Sequence, residues 1–359
     1  MFFEITAAMT RPIGPRIAHN ENQKQPPRPF VVAIHAPRTP QSNQTGIPCS
    51  SFMVVNRSRL LRLHRRGSLR GMSEAQKLDL GDVELSCEVY GKGDVVLCAH
   101  GFPDDAATFR GQTGPLTERG FQVVCPTMRG YAPSGVSKSG RYDAESLGRD
   151  LVALADVFSP DKPIRLIGHD WGAVAAYAAT ALAPHRFSHL VTIAVPHVRS
   201  TLGRLVTPAQ LRRSWYMAYF QLKGIAERGL AKNNLGLIDR LWRDWSPDYH
   251  ASADDLEHVK RGIKDRIEPV LGYYRAFFSP RSLLGASRTL LLQQTTVPAM
   301  HIHGEDDGCI GVELTLGMER HFSKGIVVHR IRGAGHFVHL EVPEIVNPIL
   351  LDFLTTTAT

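Results

Sequence analysis

Cysteine is scarce in this chain. There are five in 359 residues (Cys49, Cys87, Cys98, Cys125 and Cys309), an odd number at irregular spacing with no Cys-x-x-Cys pair. That pattern argues against a disulfide framework and against a metal centre, and it suits a reducing compartment, so the expected location is cytoplasmic. Long apolar runs are also missing. The least polar stretch, residues 172–183, is too short to cross a bilayer. No apolar segment of the kind that centres a secretory signal is read. Acidic residues are nearly absent from one region only. Residues 1–71 hold 11 Lys and Arg against 2 Asp and Glu, whereas the rest holds 31 against 32. The net charge of +8 therefore belongs to an N-terminal arm. The remainder lacks the basic excess that a nucleic-acid-binding body needs.

That arm carries eight prolines in its first 50 residues and neither a helical nor an alternating apolar period. Residues 1–71 are expected to be disordered. Their Arg-rich, acid-poor composition suits a targeting peptide, but the prolines would break its helix. A start at Met72 is the favoured alternative.

From residue 76 onward the pattern changes. Short apolar runs at 83–90, 95–99, 121–126, 164–167 and 190–195 read as strands. Helical segments at 107–119, 144–158 and 173–182 separate them. Such alternation predicts a mostly parallel sheet covered on both faces. Residues 200–285 break it with helical, aromatic-rich segments. A strand at 299–303, a helix at 314–322, a strand at 326–331 and a last helix from about 342 follow. The reading is a core over 72–199 and 286–359 with a helical lid over 200–285.

The chemistry concentrates at Ile164–Ala173, Ile-Arg-Leu-Ile-Gly-His-Asp-Trp-Gly-Ala. A strand running into Gly-x-Asp-x-Gly and then a helix has the form of a nucleophile elbow, with Asp170 where most hydrolases carry serine. Helix capping is the bland alternative for a lone aspartate there. Three companions in the expected chain order favour the nucleophile. Asp307 lies in Gly-Glu-Asp-Asp-Gly after a strand and is preferred over its neighbour Asp306. His336 lies in Gly-Ala-Gly-His-Phe before the last helix, with His339 read as structural. His100-Gly-Phe-Pro follows the strand at 95–99, which would set the Phe102 amide opposite that of Trp171 as an oxyanion hole.

With His-Gly-Phe-Pro at 100–103, Gly-His-Asp-Trp-Gly at 168–172 and Gly-His-Phe at 335–337, residues 76–356 resemble the epoxide hydrolases of the α/β-hydrolase superfamily. The resemblance implies that fold, an Asp170–His336–Asp307 triad, and two lid tyrosines aimed at the nucleophile. Ser-Trp-Tyr-Met-Ala-Tyr-Phe-Gln places one role on Tyr216, and Gly-Tyr-Tyr-Arg places the other on Tyr274. Tyr219 and Tyr273 are read as packing residues. The resemblance further implies an apolar epoxide and water as reactants, with no cofactor and no metal. The same aspartate elbow occurs in haloalkane and haloacid dehalogenases. Haloalkane dehalogenases usually carry asparagine at the position of Phe102, and haloacid dehalogenases usually carry arginine at that of Trp171. A catalytically inactive, ligand-binding homologue is the remaining alternative.

Overall fold

The computed structural model describes residues 74–356, together with the backbone of Phe30–His35 and Phe52–Val55. The strands are β1 (Phe30–His35), β2 (Phe52–Val55), β3 (Glu74–Asp79), β4 (Glu84–Tyr90), β5 (Asp94–Ala99), β6 (Phe121–Pro126), β7 (Ile164–His169), β8 (Phe187–Ile193), β9 (Ala299–Gly304) and β10 (Ile326–Ile331). They form one sheet in the order β2-β1-β10-β9-β8-β7-β5-β6-β4-β3. From β10 to β6 all neighbours are parallel, while β4 and β3 add antiparallel strands at one edge.

At the other edge β1 pairs antiparallel with β10, and β2 with β1. The expected disorder of residues 1–71 lies outside the described residues except at these two strands, where the backbone is paired instead. Phe-Val-Val-Ala-Ile-His and Phe-Met-Val-Val are short continuous runs of β-forming residues. They carry β propensity without either periodicity that marks an amphipathic element.

Before the insertion stand α1 (Arg110–Glu118), α2 (Ala144–Phe158) and α3 (Trp171–Leu182). The helical excursion between β8 and β9 contains α4 (Val198–Thr201), α5 (Pro208–Arg213), α6 (Trp215–Tyr219), α7 (Ile225–Ala231), α8 (Gly236–Trp245), α9 (Ala253–Ile263), α10 (Ile267–Phe277), α11 (Pro280–Leu284) and α12 (Ala286–Leu292). It runs past the expected 200–285 at both ends. The short α13 (Val338–Glu341) and α14 (Pro343–Leu354) close the chain.

Successive residues of β5 feed two cores. Val95, Leu97 and Ala99 pack with Leu147, Leu151 and Leu154 of α2 and with α3, whereas Val96 and Cys98 pack with Leu116 of α1 and with Val346 and Leu350 of α14. A strand buried on both faces needs an unbroken apolar run, and Val-Val-Leu-Cys-Ala supplies it. Residues 314–322 form no α-helix. Two 3-10 turns, Val312–Thr315 and Met318–His321, stand there, separated by Gly317 at φ +74°. A left-handed residue stops helical hydrogen bonding, and glycine adopts that conformation without steric cost.

Candidate active site

The site lies at the carboxyl ends of the parallel strands, beside β5, where the crossovers reverse direction. Open α/β sheets leave a crevice at such a point. Asp170 occupies the turn between β7 and α3 with φ +50° and ψ −117°. A non-glycine residue held there stores about 1–3 kcal/mol of strain. Its surroundings hold it in place: the Asp170 amide donates to Ile193 O (3.2 Å), and its carbonyl accepts from Ala173 N (2.9 Å) and Val174 N (3.2 Å). The turn tolerates nothing larger than glycine at 172, where a Cβ would lie 2.0 Å from Ala99 O. The carboxylate therefore sits at the positive end of α3.

The loop after β5 reaches the same carboxylate. Phe102 N–H donates to Asp170 Oδ1 at 2.7 Å. A Cβ built on Gly101 would fall 2.3 Å from that oxygen and 2.6 Å from Trp171 N, so loop and helix start converge there. His100 fixes the loop. Met128 N–H donates to its Nε2 (2.9 Å), which leaves the proton on Nδ1 to donate to Gly101 O (2.9 Å). Burial lowers the pKa of this imidazole and so keeps it neutral.

The loops after β9 and β10 bring Asp307 and His336 together. His336 Nδ1 donates to Asp307 Oδ2 at 2.9 Å, and Nε2 faces Asp170 Oδ2 at 3.7 Å. Asp307 Oδ1 accepts from Cys309 N (2.7 Å) and Ile310 N (2.8 Å). Both side chains are buried. Burial opposes the imidazolium, but Asp307, with Cys309 and Asp170 nearby, outweighs it and holds the His336 pKa well above its ordinary 6.5. Burial likewise raises the Asp307 carboxyl, yet His336 and His303 bring it below the usual carboxylate range. Asp306, by contrast, is exposed and accepts from Gly333 N. His339 lies behind the site, its Nε2 2.8 Å from Thr108 Oγ1.

Tyr216 on α6 and Tyr274 on α10 close the site from above, their rings 5.7 Å apart and nearly perpendicular. With Asp170 and Trp171 they line a cavity of about 560 Å³ whose other walls include Val174, Val198, Leu205, Phe277 and Leu314. Burial pushes both phenols well above their ordinary 10, so they remain protonated donors. Their neighbours turn elsewhere: Tyr273 donates to Arg129 O at 2.7 Å, and the Tyr219 hydroxyl points to Ile225 O.

Several residues here carried no sequence signal. Cys309 Sγ lies 3.2 Å from the Tyr216 hydroxyl. It forms, with Asp307 and His336, a trio of possible metal ligands within 4.8 Å of one another. The carboxylate and imidazole are already bonded to each other, and burial lifts the thiol to about 11, so the trio is poorly set up to bind a cation. Helix α8 ties the insertion to three site loops. Trp245 O accepts from both Gly308 N and His336 N at 3.1 Å. Trp242 Nε1 donates to Pro103 O (2.8 Å), and its ring stacks on Phe337 at 3.9 Å. Nothing in Leu-Trp-Arg-Asp-Trp marks such a clamp.

Residues 94–343 match the family model for the alpha/beta hydrolase fold, and with this sheet and site the chain belongs to the α/β-hydrolase superfamily. It is 34% identical over 307 residues to "Epoxide hydrolase" of Caballeronia sordidicola, covering 76% of this chain and 91% of that one. It is 30% identical over 270 residues to "AB hydrolase superfamily protein YfhM" of Bacillus subtilis, covering 73% and 90%. The crystal structure of epoxide hydrolase A from Mycobacterium thermoresistibile superposes with a TM-score of 0.69 at 26% identity, covering 79% of this chain and 99% of that one. Within the superfamily the chain belongs to the epoxide hydrolase family. No helix among the described residues is long and apolar enough to cross a membrane.

Proposed function

We infer that the protein opens apolar epoxides to vicinal diols through a covalent ester on Asp170. One observation carries this reading. A carboxylate and two protonated phenols line one apolar cavity, in which Asp170 is the only charged lining residue among those described, and the His336 imidazole stands behind that carboxylate with Nε2 3.7 Å from Oδ2. The names of the relatives and structural neighbours support it.

A carboxylate, unlike a hydroxyl, needs no base before it attacks. Asp170 Oδ1 is tied to Phe102 N–H, which leaves Oδ2 to attack the epoxide carbon. Tyr216 and Tyr274 donate to the epoxide oxygen, and one of them protonates the alkoxide as the C–O bond breaks. Esterification removes the Asp170 charge, one of the groups that hold the His336 proton. The imidazole then releases its proton to solvent and, now neutral, takes one from water on Nε2. Hydroxide adds to the ester carbonyl, and the amides of Phe102 and Trp171 hold the oxyanion. Collapse passes the adduct's hydroxyl proton to the departing alkoxide, which frees the diol and the Asp170 carboxylate; the His336 proton restores the tyrosine, and the imidazole regains its own proton from solvent. In this reading residues 200–285 act as a lid between the two core segments at 72–199 and 286–359.

The test is a single turnover in isotopically heavy water. The heavy oxygen should enter the Asp170 carboxylate, and the diol should carry light oxygen. In His336→Gln, one equivalent of epoxide should add its mass to the peptide containing Asp170. Heavy oxygen appearing directly in the diol, with no trapped ester, would reduce Asp170 to a general base.

A further inference from the structure

Twelve large hydrophobic side chains are exposed among the described residues, and nine of them fall in two stretches of the insertion and its return, 198–226 and 269–304. The same two stretches hold eight Lys and Arg and no Asp or Glu. Arg213 and Arg275 pair with Glu313 and Glu227. Arg199, Arg212, Lys223, Arg281 and Arg288 are exposed and form no ion pair among the described residues. Lys223, Arg281 and Phe278 border one cleft, which Glu268 also reaches, and Arg288 borders a second with Leu202 and Leu283, so apolar surface and a surplus of unpaired positive charge lie side by side there.

This surface is continuous with the cavity. Val206 (70% exposed), Leu211 and Phe278 form part of its wall. Leu202 and Leu283 line an adjoining cavity of about 220 Å³ that shares Trp171, Val198 and Phe277 with the first. The apolar lining therefore runs outwards from Asp170 onto the surface. An apolar patch of this kind marks a site of interaction with a protein or a membrane. The charge decides between occupants. A second copy would set five unpaired cations against five, and the chain's own basic arm would be repelled. An anionic bilayer complements both features, taking apolar side chains between its headgroups and cations against them.

We propose that this face docks peripherally on an anionic lipid bilayer, from which a lipophilic epoxide passes straight into the cavity. The second clause rests on the epoxide-hydrolase reading, and the docking itself does not.

The experiment is sedimentation of the full chain with vesicles of phosphatidylcholine alone or mixed with phosphatidylglycerol. The test variant is Arg281→Glu with Leu284→Glu, two exposed positions on α11 outside the main cavity. The basic arm is present in both proteins, so their difference isolates the face. Wild type should bind mixed vesicles, more weakly as salt rises and far less on phosphatidylcholine alone. The variant should bind at least about tenfold more weakly, since each cation near such a surface contributes about 1 kcal/mol. It should keep its melting temperature and its turnover of soluble styrene oxide. If that variant does not fold, Arg199→Glu with Arg212→Glu replaces it. Equal binding by wild type and variant would assign the attraction to the arm and overturn the proposal. Failure of wild type to bind, or a dimer that the variant dissociates, would overturn it too. Loss of epoxide turnover in the wild type would strike the catalytic reading and leave the vesicle result standing.

Discussion

Asp170, Asp307 and His336 stand on loops that leave β7, β9 and β10 at their carboxyl ends, and hydrogen bonds to the backbone fix the loops that carry them. Tyr216 and Tyr274 face them from α6 and α10, where no strand sets the geometry. Ring packing does so instead, with Phe102 5.5 Å and Trp171 5.1 Å from Tyr274, and Trp245 4.9 Å from Tyr216. On the proposed mechanism, the sheet side would supply the groups that make and break the ester, whereas the insertion side would supply the donors that tune ring opening. Loss of a sheet-side group should stop a step outright. Loss of an insertion-side hydroxyl should only slow one.

The largest expected effect is that of Asp170→Asn, which removes the nucleophile. Turnover should fall by roughly four orders of magnitude or more, with the melting temperature kept or raised as the elbow loses a buried charge. Residual activity within tenfold of wild type would dismantle the covalent reading. His336→Gln ranks next, because steady-state turnover should vanish while one equivalent of epoxide is still consumed. A burst that disappears along with turnover would place the histidine in ring opening, and the distinction between the sides would blur.

Tyr216→Phe and Tyr274→Phe should each slow ester formation about tenfold or more, and the pair should be nearly inactive. Burst kinetics on styrene oxide would read this directly. An unchanged burst in the double variant would reduce the insertion side to packing.

The pH profile sharpens the comparison on the sheet side. His336 is held well above 6.5 in the free enzyme, and a histidine serves as base only once deprotonated. Where ester hydrolysis limits the rate, turnover should rise with pH through the titration of His336 in the ester, which lies below that of the free enzyme once the Asp170 charge is gone, and level off on the alkaline side. A flat profile would exclude His336 as the base. The smallest effect belongs to Asp306→Asn, expected within about twofold of wild type, since the side chain is exposed and away from His336. A large loss there would exchange the roles of Asp306 and Asp307.

Legibility followed the same division. Strand, glycine turn and helix start are local features, so the elbow at Asp170 and the loops carrying Phe102, Asp307 and His336 could be placed from neighbours in the chain. The alternation of apolar runs and helices announced the parallel sheet, because a strand buried on both faces must be apolar throughout. Strand β3 was not read, since Glu-Ala-Gln-Lys-Leu-Asp lies at an edge and stays largely polar. The 3-10 turns around Gly317 passed for a helix because their apolar spacing is helical and only one residue's conformation breaks it.

The sequence by itself determined the fold class and the chain order of the triad candidates, and through the family resemblance it nominated the two tyrosines, since each of these is written in residues close together in the chain. The tertiary structure alone decided what surrounds them. It set Cys309 against the Tyr216 hydroxyl. It made α8 the clamp on the loops of Pro103, Gly308 and His336. It opened the cavity onto a basic, apolar face assembled from two stretches some forty residues apart. Contacts of that kind arise only when side chains on separate helices pack together, and no period or motif along one segment encodes them.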